Sequence, residues 1–76
     1  MEQLVKGKYS DKEYYASKAI RILDPYQAAC YWENGLEPLD IYSSRNVRTN
    51  KPVIVFVFDR ESSKPLYDLW CERQLA

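Results

Sequence analysis

The sequence predicts an α+β fold, a small two-layer βαββα domain with a three-stranded mixed sheet carrying two helices on one face. Three observations predict it. Between Pro52 and Asp59, the run Val53-Ile54-Val55-Phe56-Val57-Phe58 is uniformly β-branched or aromatic. It is far too short to span a membrane and reads as a buried strand. Asp24 followed by Pro25 opens a helix that Gly35 can close in a left-handed conformation. Leu66, Leu69 and Trp70 recur at helical spacing near the end of the chain.

The Val-Ile-Val-Phe-Val-Phe strand is the organising element. Side chains on a strand alternate, so Val53, Val55 and Val57 share one face and Ile54, Phe56 and Phe58 the other. Both faces are apolar and both need cover. Two helices can cover one. The other is left for the N-terminal arm, a second protomer or a foreign partner.

Residues 1–15 are expected to form an arm or a short helix, and residues 16–76 a single α+β domain. Ser10-Asp11-Lys12-Glu13 fits a capping box, which would start a helix at Asp11. Residues 19–23 alternate as a short strand, with Ile20 and Ile22 on one face and Ala19, Arg21 and Leu23 on the other. The helix that follows should run to about Asn34, turning Ala28, Ala29 and Trp32, and then Leu36, toward the core. Residues 37–43 form the second strand, with Leu39 and Ile41 buried and Asp40 and Tyr42 on a wetter face. The polar 44–51 segment is a projecting loop between antiparallel strands. Residues 60–64 lead to the last helix, where Pro65 belongs in the first turn or before it.

Composition narrows the function. The 76 residues are 46% hydrophobic and 29% charged, which is globular, with 11 basic and 11 acidic side chains. A dedicated duplex-DNA binder shows a basic excess, which this balance lacks. Cys30 and Cys71 do not have metal-motif spacing, and the chain has no histidine, so neither a metal site nor a cofactor is expected. Without histidine a general base would have to be a shifted acid, lysine or cysteine. Asp24 and Asp59 are better read as helix or strand-end caps, and two glycines make no phosphate loop. No enzyme activity is expected. The first ten residues lack the apolar stretch of a signal peptide, which makes a cytoplasmic location the default, with no membrane partner.

Two features suggest binding. Seven tyrosines and two tryptophans exceed what one small core absorbs, and tyrosine is favoured at interfaces. Tyr26, Tyr31, Tyr42 and Tyr67 are the candidate protein-binding residues, weighed against a simpler role at the core's edges. Arg45, Arg48 and Lys51 concentrate positive charge in one loop, suited to nucleic-acid phosphates or to an acidic protein patch. Its alternative is a solvated loop.

The run Ala28-Ala29-Cys30-Tyr31-Trp32-Glu33-Asn34-Gly35-Leu36-Glu37-Pro38-Leu39-Asp40-Ile41, with the later Val53–Asp59 strand and the helix near Tyr67 and Trp70, resembles a known family. Its members are small proteins encoded by phages and mobile elements of Gram-positive bacteria. The likeness covers about residues 18 to 72. It consists of fold-forming residues, and Pro65 departs from it. The family has no established activity, so no site residues carry over. The resemblance implies an accessory protein in a bacterial host cell. Compact proteins in that setting often work by binding, including as inhibitors of host defence systems of the anti-CRISPR type. The expected function is therefore a non-enzymatic binding protein that inhibits a host protein. A nucleic-acid-binding accessory protein using the 45–51 loop and a homodimeric or larger structural component are the alternatives.

Overall fold

In the computed structural model, which describes residues 3–74, the chain runs β1 (Leu4–Lys6), β2 (Glu13–Tyr15), a 3-10 turn (Ala16–Lys18), β3 (Ala19–Ile22), α1 (Pro25–Glu33), β4 (Asp40–Arg45), β5 (Pro52–Asp59) and α2 (Arg60–Cys71). Met1 and Glu2 of the expected arm, and Leu75 and Ala76, lie outside the described residues. The fold is a small α+β domain with a two-stranded and a three-stranded sheet.

The three-stranded sheet has the order β3-β5-β4, with β5 in the middle. Both pairings are antiparallel. Ile20 faces Phe58 and Ile22 faces Phe56 on one side, while Ile41 faces Phe56 and Tyr42 faces Val55 on the other. The expected mixed sheet is thereby corrected. β3 and β4 do run in the same direction, but β5 lies between them, so no parallel pair forms.

Asp24 caps α1 by accepting hydrogen bonds from the amides of Tyr26 (2.9 Å) and Gln27 (3.5 Å). Gly35, at φ 93°, follows the helix end. α1 buries Ala28, Cys30 and Tyr31. Ala29 and Trp32, expected in the core, are exposed, Trp32 by 47%. The Tyr31 ring claims the inward position, and its side of the helix sets which residues turn out. It meets Phe58 edge-on at 5.3 Å. Around this pair pack Ile20, Ile22, Leu36, Phe56, Leu66, Leu69 and Trp70, so both helices cover the Ile/Phe face of the sheet.

Pro65 lies inside α2, not at its start. β5 runs straight into the helix because Asp59 ends the strand and accepts from the Ser62 amide at 2.9 Å. Residues 60–64, expected as a lead-in, are therefore helical. The missing proline N–H leaves the Glu61 carbonyl without its usual partner, and both residues are exposed to solvent.

The N-terminal arm is a hairpin, not a helix. β1 and β2 are antiparallel, pairing Leu4 with Tyr15, Val5 with Tyr14 and Lys6 with Glu13. The Gly7 amide donates to the Lys12 carbonyl at 2.7 Å, and Asp11 turns the chain at φ 61°. Ser10 does not cap a helix because its hydroxyl donates to the Leu39 carbonyl, at the entry to β4. That contact reveals where the arm goes.

The arm docks on the second sheet face through Asp40. This carboxylate, expected on a wetter face, is 1% exposed. It accepts from the amides of Lys8 (2.7 Å), Tyr9 (3.0 Å) and Ser10 (3.4 Å). Val55 and Val57 are buried on the same face. A buried charge is tolerable only with such partners.

A candidate anion-binding groove

The arm does not cover the whole second face. Beyond it, toward the hairpin end of β4 and β5, lies an open groove of about 770 Å³. Its floor is apolar, made by Leu23, Val53 and Val55, and Val47 stands at its rim with 97% of its surface exposed. Four cations line it: Lys8 from the arm, Arg21 from β3, Arg45 from β4 and Arg48 from the following turn. No carboxylate is among the lining residues. No ion pair among the described residues engages any of the four.

Three of the cations are held by neutral groups. Arg21 Nε donates to the Tyr42 hydroxyl at 3.0 Å, and Lys8 Nζ lies 4.7 Å over the Tyr42 ring. One Arg45 guanidinium nitrogen donates to the Asn50 carbonyl at 2.8 Å. The 46–51 turn is closed by Asn46, whose side-chain oxygen accepts from the amides of Arg48 (2.8 Å) and Thr49 (3.3 Å). Asn50 completes the turn at φ 57°.

Tyr14 of the arm also stands on this face. Its hydroxyl pKa is raised by burial first, then by the charge of Asp40 and by Tyr42, against a lowering by Arg21. The phenol therefore stays neutral beside the groove at ordinary pH.

Of the residues singled out in the sequence, Arg45, Arg48 and Tyr42 come together here. Lys51 does not line the groove. Tyr31 is a wholly buried core residue and does not reach the surface. Tyr26 (58% exposed) leans on Trp70 with ring centroids 5.8 Å apart, and Tyr67 is exposed on α2 beside Lys64. Both belong to the helical layer, on the side of the sheet away from Tyr42. The four tyrosines form no single cluster.

Sequence reasoning missed Lys8 and Arg21. The alternation of β3 does place Arg21 on the face of Ala19 and Leu23, opposite Ile20 and Ile22. Lys8 carries no such signal, because only the docking at Asp40 brings it to the sheet.

Cys30 is buried and Cys71 exposed, both as free thiols. Among the described residues no group of three histidine, cysteine or acidic side chains could hold a metal ion. No helix among them is long and apolar enough to cross a membrane. No protein-family model matches the chain, and no curated protein or solved structure is significantly similar to it.

Proposed function

We propose that this is a non-enzymatic binding protein whose working surface is the groove formed by Lys8, Arg21, Arg45 and Arg48, and whose partner is an anionic macromolecule. The observation that carries this reading is four cations lining one groove with no carboxylate among its lining residues, in a chain of zero formal net charge. A random spread of equal charges would intersperse the signs. Segregation of this kind creates a local positive potential that steers an anionic partner. The resemblance of about residues 18 to 72 to small phage and mobile-element proteins supports inhibition as the purpose of the binding, with a host defence protein as target.

Chromatography on heparin, a polyanion, tests the reading. The neutral protein is expected to be retained at low salt, and Arg45→Glu or Arg48→Glu to elute markedly earlier. Arg73→Glu, exposed just past the end of α2 and not among the lining residues, should leave retention unchanged. Equal losses from all three substitutions would show that no local site exists.

A further inference from the structure

The groove reading leaves the chemistry of the anion open, and the lining narrows it. We infer that the groove takes an acidic segment of a partner protein in which carboxylates alternate with apolar side chains; this rests on the groove being the working surface.

Two features favour that occupant over a nucleic acid. The cations are mostly arginines, whose planar forks pair two-pronged with carboxylates as with phosphates, so the discrimination lies in what surrounds them. Arg21 uses only its Nε within the protein, and Arg45 only one terminal nitrogen, so each keeps further donors for a ligand. The floor between them is aliphatic: Leu23, Val53 and Val55, with Val47 projecting from the rim. Aliphatic surface suits leucine or isoleucine side chains, which a phosphate chain does not present.

The second feature is the lack of a stacking platform. Single-stranded nucleic acids are held by bases laid on free aromatic faces. Tyr42 is the aromatic residue lining the groove, and Lys8 lies over its ring while Arg21 holds its hydroxyl. That ring is committed within the protein. Zero net charge points the same way, since nucleic-acid affinity depends on many phosphate contacts.

Fluorescence anisotropy with three labelled probes of equal length tests the inference: a peptide alternating glutamate with leucine, the same peptide with glutamine for glutamate, and an oligothymidylate. The glutamate–leucine peptide should bind at least about tenfold more tightly than either other probe. Arg45→Glu and Arg48→Glu should each abolish that preference. Val47→Ser should weaken the peptide several-fold while leaving heparin retention intact; Val47 is exposed, so the fold is not at stake. Tighter binding of oligothymidylate, or binding of the glutamine–leucine peptide equal to that of the glutamate–leucine peptide, would overturn the inference while leaving the groove standing. Loss of heparin retention in wild type would remove the groove itself. Retention on heparin with no binding of the glutamate–leucine peptide would also overturn the inference.

Discussion

The amide of Lys8 donates to the Asp40 carboxylate at 2.7 Å across 32 residues of chain. This bond joins the two sheets and sets the groove. It fastens the arm to β4, and in doing so it brings the Lys8 ammonium over Tyr42. Fold and candidate site therefore share one anchor.

Replacing Asp40 should loosen the arm without dissolving the helical core. Asp40→Asn removes the charge that the amides of Lys8, Tyr9 and Ser10 converge on. Hydrogen bonds to an ionised acceptor support a loss of about 1.5–3 kcal/mol in urea unfolding. Hydrogen exchange should speed up first at residues 7–15. A uniform increase across α1 and α2 would show that the arm is not a separate unit.

The same carboxylate makes the docking acid-sensitive. Burial pushes its pKa up, but the amides of Lys8, Tyr9, Ile41 and Ser10 together outweigh burial and hold it below the ordinary value. Its contribution to stability is full above the unfolded value of about 3.9 and fades as pH falls through the lower folded value. The Lys8 and Tyr9 amide resonances should therefore titrate with a midpoint below that of a free aspartate. A midpoint at or above it would contradict the docking geometry.

Two glycines should fail for different reasons. A Cβ at Gly7 would stand 2.8 Å from Ser10 Oγ, 3.2 Å from Asp40 Cγ and 3.2 Å from the Lys12 carbonyl. Gly7→Ala should cost about 1–3 kcal/mol and displace the arm. At Gly35 nothing lies within 4 Å, and φ is 93°. Gly35→Ala should cost about 1–2 kcal/mol through backbone strain alone, with no effect on the groove. Thermal unfolding and the heparin assay together separate the two.

Pro65→Ala should stabilise the protein by about 1–2 kcal/mol. It restores an N–H for the Glu61 carbonyl and removes a helix breaker, less the entropy that proline takes from the unfolded chain. A fall in the urea midpoint would mean that proline fits this exposed turn better than helix propensity allows.

The thiols should separate by accessibility. Iodoacetamide is expected to modify Cys71 in the folded protein and Cys30 only after denaturation. Equal native rates would place Cys30 outside the core.

Much of the helical side was legible in the chain. Asp24-Pro25 and Gly35 bracket α1 through local backbone chemistry, and Leu66, Leu69 and Trp70 mark the half-buried, core-facing stripe of α2 by spacing alone. The uninterrupted β5 run identified the central strand, because an apolar residue on both faces has nowhere else to go. Asp40 misled for a physical reason: an acid alternating with leucine and isoleucine looks solvated until three amides from a distant turn surround it. Ser10 misled likewise, since its hydroxyl serves β4 rather than a local helix.

By itself, then, the sequence determined the elements whose signals are local: the Asp24 cap, the periodic stripe of α2, the β5 run and a charged turn between β4 and β5. Only the tertiary structure decided that β5 separates two like-directed strands, that the arm folds back as a hairpin, and that Lys8 and Arg21 join Arg45 and Arg48 around Tyr42. Those outcomes depend on contacts between residues far apart in the chain, and no short-range pattern encodes which amide a buried carboxylate will find.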